Sequence, residues 1–493
     1  MPANFESINP TTGESIASYP AHSDAVLEQT LENITSAARD WRHRSTDDRA
    51  ALIAALAPIL RERKAALADL MAREVGKPVT QGQAEIEKCA LLCEIAAQAA
   101  RNQARTPQPE LIDPAPSGES AGGVRVRHSV AHPPLGVVLA IMPWNFPFWQ
   151  YCRAAIPALR SGNGVILKPA PNSGGCALAL AECLTAAGLP PALVPSVLTH
   201  PDQNARLIDD PRVHGVSFTG STAAGRIVGA RAGAALKPAV LELGGSDPYL
   251  ILADADVPAA ARLCAASRMI NGGQSCIAAK RFIVVRTAAE AFTAELTRAM
   301  AGFSKKMGDP LSRETQLGPL ARFDLRQTLH AQVQASVAAG AKIALGGSQP
   351  DGSQPDGSQP GNAGAFYPAT VLTDVPVDSP AGREELFGPV APVFVVADTA
   401  AAVALANRTQ LGLGAAIFSA DVSAAEQLVR TELAAGAVAI NDFVRADARL
   451  PFGGIKASGF GRVLGLDAAF GYEGLHSFAN RQTLSAPLPD ESA

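Results

Sequence analysis

The sequence predicts an α/β fold made of two strand–helix units and a small exposed β-ribbon. Between Gly136 and Leu250, short apolar runs (GVVLAIM, GVILKPA, SVLTH, HGVSFTG and AVLELGG) alternate with helical stretches such as CALALAECLTAAG and TAAGRIVGARAGAAL. That alternation is the pattern of a parallel sheet with helices packed on it, in which ligands bind at the carboxyl ends of strands. A second alternating segment follows from Asp254 to about Val438, so a second α/β unit is expected. The length of 493 residues points the same way, because it exceeds what one compact core holds.

Residues 24 to 105 come first and read as consecutive amphipathic helices. In DRAALIAALAPILRERKAALADLMAREVGK the apolar positions recur at three and four residues, and Gly76-Lys77-Pro78 supplies a glycine stop followed by proline. From Thr106 to Ala121 proline, serine and glycine take over, which marks a linker. GGVRVRHSVAH then alternates as an exposed strand, with Arg125 and Arg127 on one face and Val124, Val126 and His128 on the other. His128 and His132 read as solvated strand residues rather than metal ligands. Within the second unit, Gly347 to Gly361 repeats DGSQP without an apolar anchor, so a flexible surface loop is expected there.

Composition narrows the function. Apolar residues at 47%, charged residues at 18% and a net charge of -4 suit a soluble enzyme and give no electrostatic reason for nucleic acid or an acidic membrane as partner. Small-molecule ligands are expected instead. The seven cysteines lack metal-ligand or disulfide spacing, and their odd number fits reduced thiols. Cys89 and Cys93, four apart in a helical stretch, are expected on one core-facing stripe, and no metal is expected. The start, MPANFESINP, has no signal-peptide pattern and no window has membrane-span length, which reads as cytoplasmic.

The chemistry centres on NGGQSC, Asn271 to Cys276. A cysteine beside glycines, in a turn before the strand-like RFIVV, sits where backbone amides and a thiol can converge on a substrate. On spacing alone a buried structural cysteine is the alternative. Its company matters: Glu242, in LELGGSDP, lies 34 residues earlier, and PWNFP places Asn145 on a turn after an apolar strand. A thiol, a carboxylate that can activate water and an amide that can hold an oxyanion are the parts needed to make and hydrolyse a thioester.

These motifs, in this order, resemble the aldehyde dehydrogenase superfamily, and the resemblance runs from INPTTGE at Ile8 to GLHSFAN near the end. It implies a Rossmann-like cofactor domain (1–110 and 132–241), a catalytic domain (242–438) and an oligomerisation arm (111–131 and 463–493). Residues 439–462 would return to the cofactor domain and pocket, in a homodimer or homotetramer. It implies Cys276 as nucleophile, Asn145 and the Cys276 N–H as oxyanion donors, and Glu242 as general base. Thr219, Gly220, Ser221 and Gly225 match the dinucleotide turn, and Lys168 the lysine at the adenosine ribose. Glu385 matches the carboxylate on the nicotinamide ribose and Phe387 the aromatic near the nicotinamide end, with Trp144, Leu243 and Gly244 as further cofactor-binding residues. The cofactor is NAD or NADP. Three positions after Lys168, where many NAD-preferring relatives carry a glutamate, stands Pro171, followed by Asn172 and Ser173.

Arg153 lies eight residues after Asn145 on the helix expected to follow it. A buried arginine there calls either for a substrate carboxylate or for an internal acidic partner. Strings such as KPAPNSGGCALALAE and DARLPFGGIKASGFGR resemble the succinate semialdehyde dehydrogenase branch, in which the matching arginine binds the far carboxylate. A second arginine of some members is replaced by Ile270, with Arg268 as nearby substitute and Arg445 and Arg449 as weaker candidates. Ala278 stands at the second cysteine of the redox switch found in some relatives. The alternatives are glutarate semialdehyde or aliphatic aldehydes as substrate, or an inactive dinucleotide-binding scaffold.

Overall fold

The computed structural model describes residues 4–105, 110–112, 126–348, 364–467, 469 and 472–487. Four helices, Asp24–Arg42, Thr46–Glu62, Lys64–Val75 and Val79–Arg105, fill the N-terminal part. Ser23 and Ser45 cap the first two by accepting from Val26 and Asp48 N–H groups, which would otherwise lack partners. The third ends at Gly76 in the left-handed conformation, as the Gly-Lys-Pro stop implied.

The first sheet has the order Gly459–Phe460, Ala239–Glu242, Gly215–Thr219, Val137–Ile141, Gly164–Lys168. All neighbours are parallel except the short Gly459–Phe460 strand, which pairs antiparallel with the strand ending at Glu242. The second sheet runs Lys342–Leu345, Thr370–Thr373, Val390–Val396, Arg281–Val285, Pro248–Ile251, Gly414–Phe418, Ala437–Ile440, parallel but for its first strand. Their central strands are buried on both faces, which explains their uninterrupted apolar runs. A third, antiparallel sheet joins Glu110–Ile112, Val126–Ala131 and Gln482–Pro487.

Two sequence expectations are corrected here. SVLTH is not a strand of the sheet: Ser196 makes a single bridge to Leu167, and the chain then leaves, with the Leu198 carbonyl accepting from His22 N–H and His200 preceding the helix Pro201–Asp209. Pro195, which has no N–H, limits pairing further. The stretch read as a linker contains a strand, Glu110–Ile112, paired with Val126–Ala131. The rest of that stretch, Val124 and Arg125 of the run that follows it, and the DGSQP repeat from Gln349 to Gly361 lie outside the described residues.

The helices and first sheet share one core that includes Trp41, Leu56, Leu139, Phe148 and Val216. Burial of each such side chain stabilises by about 1.5–3 kcal/mol, and the Trp41 indole N–H is satisfied by the Leu159 carbonyl at 2.7 Å. Cys89 and Cys93 lie in this core. The second sheet is packed on both faces, by Tyr249, Phe282 and Phe292 on one and Ile283, Tyr367 and Phe394 on the other. Among the described residues no helix is long and apolar enough to cross a membrane.

Candidate active site

Cys276 follows a tight turn at the end of helix Val257–Met269, where Asn271, Gly272 and Gly273 all take positive φ (54°, 61° and 77°). Gly273 is needed for space as well, because a Cβ there would lie 2.2 Å from the Gly388 carbonyl oxygen. Asn271 tolerates the left-handed conformation and works there: its Nδ2 donates to the Asn145 carbonyl at 2.8 Å. Asn145 in turn donates from Nδ2 to the Gln274 carbonyl at 3.1 Å. The turn before one helix and the loop after another are thereby joined, and Asn145 and Cys276 are held in one place.

Helix Val79–Arg105 supports both partners. Gln81 accepts the Asn271 N–H at 2.7 Å, and Glu85 accepts the Phe148 and Trp149 N–H groups, each at 3.0 Å. Helix Pro147–Arg160 has no side-chain cap of its own at Phe146, so the Glu85 carboxylate takes that position at the positive end of its dipole. Lys77 forms a buried ion pair with Glu85 and sits 3.8 Å from the centre of the Phe146 ring.

Glu242 ends the strand beside Thr219. Its side chain is 2% exposed and neither carboxylate oxygen has a hydrogen-bond partner among the described residues. Burial pushes its pKa up to about 7, against the attraction of Arg153 and Arg462. The Arg153 Nη2 stands 3.7 Å from Glu242 Oε2 and donates to Thr219 Oγ1 at 3.2 Å, and its guanidinium lies 5.2 Å from the Phe452 ring centre. Glu242 is thus an acidic group at ion-pair distance from Arg153 without a hydrogen bond to it, and the guanidinium keeps donors for a further anion. Cys276 is half-buried, and burial pushes its thiol up to about 11, opposed by the charges of Arg153 and Lys280. A thiol near 11 needs a base, and a carboxyl near 7 is suited to be one.

The remaining arginines separate. Arg268 is fully buried, donates to the Gly273 carbonyl at 2.5 Å and has its pKa pushed down to about 10 by desolvation. Its Nη2 lies against the backbone of the turn, while Nε and Nη1 have no hydrogen-bond partner among the described residues. Arg445 pairs with Asp442 and stacks 3.7 Å over Phe443, and Arg449 pairs with Asp447. Both salt bridges are half exposed, so neither arginine is an unpaired cation.

The proposed cofactor residues converge beside this centre. Ser221 caps helix Thr222–Ala234 directly after Thr219 and Gly220, and Gly225 packs against Leu243. Lys168, at the end of its strand, has no carboxylate within ion-pair distance among the described residues, and burial pushes it down to about 8. An unpaired, half-buried cation and a helix N-terminus, at the ends of the strands on either side of Val137–Ile141, fit the anionic part of a dinucleotide. Pro171 opens a short 3-10 turn in which Asn172 and Ser173 are buried, so no carboxylate stands there to repel a 2'-phosphate. Glu385 accepts the Gly245 N–H at 3.2 Å, and a Cβ on Gly244 would lie 2.4 Å from its Oε2. Trp144 and Phe387 meet edge to face at 5.8 Å. These groups fit the ribose and ring of a nicotinamide.

Sequence reasoning missed Gln81, Lys77, Glu85 and Lys280. The first three contact residues far along the chain and carry no local signal. Lys280 lies only four residues after Cys276, and that proximity is the one signal in the sequence that could have found it.

A model of the aldehyde dehydrogenase family matches residues 2–478. The chain is 42% identical over 478 residues to the succinate semialdehyde dehydrogenase [NAD(P)+] Sad of Escherichia coli (strain K12), covering 97% of both chains. It is 41% identical to a probable NADP+ succinate-semialdehyde dehydrogenase of Synechocystis, covering 97% of this chain and 98% of that one. Among solved structures, the succinic semialdehyde dehydrogenase of Streptococcus pyogenes in complex with NADP+ superposes with a TM-score of 0.88 at 30% identity, over 98% and 100% of the two chains.

Proposed function

The chain belongs to the aldehyde dehydrogenase family, and from that premise we propose that it oxidises succinate semialdehyde to succinate with NAD or NADP. The observation that carries the reading is Glu242: a buried carboxylate without hydrogen bonds, flanked by Arg153, in the site that holds Cys276 and Asn145. In this reading Cys276 attacks the aldehyde carbon, and the second Asn145 N–H and the Cys276 N–H hold the oxyanion. One such donor lowers the barrier by about 3 kcal/mol. The dinucleotide, when bound, supplies the hydride acceptor that turns the thiohemiacetal into a thioester. Lys168, Ser221 and the helix after it would hold its adenosine and phosphate end, and Glu385 and Phe387 its nicotinamide end. Glu242, having taken the Cys276 thiol proton and passed it to solvent, then takes the proton of the water that attacks the thioester, and the C–S bond breaks to free the Cys276 thiolate and the carboxylate product.

Arg153 is the proposed ligand of the far carboxylate. Support comes from the relatives' names and from its guanidinium, whose one hydrogen bond among the described residues is to Thr219. Glutarate semialdehyde remains the nearest competitor, because one methylene changes discrimination by only about 1–3 kcal/mol. In the same reading residues 1–110 and 132–241 form the cofactor domain and 242–438 the catalytic domain. A reducing cytoplasm is supported by seven cysteines that are all free. Homo-oligomerisation is supported by the exposure of strand Gln482–Pro487.

The test is initial-rate reduction of NAD and NADP with succinate semialdehyde and with butanal. A clear preference for the semialdehyde is expected, and Arg153→Ala is expected to remove most of it. Equal rates on the two aldehydes in the unaltered protein would reduce the assignment to a general aldehyde dehydrogenase.

A further inference from the structure

Lys280 stands just before strand Arg281–Val285, with its side chain 1% exposed. Its backbone is anchored, because both Lys280 and Arg281 N–H groups donate to the Asp247 carbonyl at 3.1 Å. From this fixed point Nζ reaches back and donates to the Ser275 carbonyl at 2.9 Å and the Cys276 carbonyl at 2.6 Å. It also lies 3.3 Å from Glu385 Oε1. A longer third hydrogen bond reaches the Ala278 carbonyl at 3.5 Å, so the three donors of the ammonium all serve the backbone of the loop after Gln274, with Glu385 in ion-pair contact.

The Ser275 carbonyl belongs to the peptide whose N–H is that of Cys276. In a trans peptide the two groups point in opposite directions, so a carbonyl pinned on Lys280 turns the Cys276 N–H the other way. That N–H donates to no protein acceptor among the described residues. A cation on the carbonyl also polarises the peptide and makes its N–H a stronger donor.

We infer that Lys280 is a positioning residue of the reaction: it aims and polarises the Cys276 N–H as an oxyanion donor and ties the nucleophile loop to Glu385. The inference rests on the reading of Cys276 as nucleophile. The charged groups acting on the thiol are Arg153, Lys280, Glu242 and Glu385, two of each sign, so loss of Lys280 leaves the carboxylates in excess.

The test compares Lys280→Met and Lys280→Arg with the unaltered protein by two readouts. The first is the pH dependence of Cys276 alkylation by iodoacetamide without cofactor, with Cys276→Ser as background. The second is kcat and KM for the aldehyde. Lys280→Met is expected to move the alkylation midpoint upward by about one pH unit and to lower kcat by about tenfold or more, with KM little changed. Lys280→Arg, which keeps the charge, is expected to retain the original midpoint. Should the methionine variant not fold, Lys280→Gln carries the same expectations. A folded neutral variant with the original midpoint and kcat overturns the inference, as does an arginine variant whose midpoint rises as far as the methionine variant's. An active Cys276→Ser would instead overturn the reading of Cys276 itself.

Discussion

Glu242 shows how one residue acquires its chemistry from its surroundings. An exposed glutamate is ionised at neutral pH and is a weak base; this one, buried and without a hydrogen-bond partner among the described residues, has its pKa pushed up to about 7. Two outcomes follow for the residues at the centre. Cys276→Ser is expected to lower NAD(P) reduction by at least about a thousandfold, since an alkoxide is far harder to generate than a thiolate. Glu242→Gln is expected to lower kcat by about 10²–10⁴-fold and to abolish the acid limb that the pH–rate profile of the unaltered enzyme shows near 7. Linkage gives this variant a second readout. The folded pKa is raised above the unfolded value, so the stabilisation is fully present below about 4.5 and is lost as pH rises through about 7. Glu242→Gln should therefore melt higher than the unaltered protein at about pH 8.5, with the advantage shrinking towards about pH 4; scanning calorimetry at both values measures it. The residue types at this centre were legible in the sequence because their chemistry is rare in combination. The state of Glu242 was not, because desolvation depends on Arg153 and the sheet edge closing over it.

At the scale of elements, the site is a junction of helix ends. The turn carrying Asn145 opens helix Pro147–Arg160, the loop carrying Cys276 closes helix Val257–Met269, and helix Val79–Arg105 touches both through Glu85 and Gln81. Glu85→Ala should leave Lys77 as an unpaired buried cation and two helix N–H groups without an acceptor. A loss of about 3–5 kcal/mol is expected, read by urea unfolding. A fall in kcat should accompany it as Asn145 loses its fixed geometry. Periodicity and the Gly-Lys-Pro stop located these helices, and the alternating apolar runs located the strands. The contacts that hold the site were hidden, because Glu85 caps a helix 63 residues away. SVLTH shows the complementary failure: its residues suit a strand, yet Pro195 and the pull of His22 leave it with one bridge.

For the whole molecule, one largely parallel sheet ends its strands at Glu242, Thr219 and Lys168, the loop with Cys276 leads into a strand of the second, and a third, exposed sheet adds no residue to the buried cores among the described residues. Strand Gln482–Pro487 pairs with Val126–Ala131 over six residues while nearly all its side chains stay exposed. Truncation after Asn480 is therefore expected to lower the mass measured by light scattering while leaving far-UV circular dichroism nearly unchanged. By itself the sequence determined the family and the α/β class, and it singled out Cys276, Glu242 and Asn145 as the proposed centre, because these rest on residue type and short spacing. It also placed Arg153 on the helix after Asn145, although not its partner. Only the tertiary structure decided that Arg153 faces Glu242, that Arg268 lies against the turn, that Glu85 caps the oxyanion helix and that Lys280 grips the nucleophile loop. Each of these is a contact between segments brought together by packing, and a buried charge is disposed by whatever neighbour the fold supplies to satisfy it.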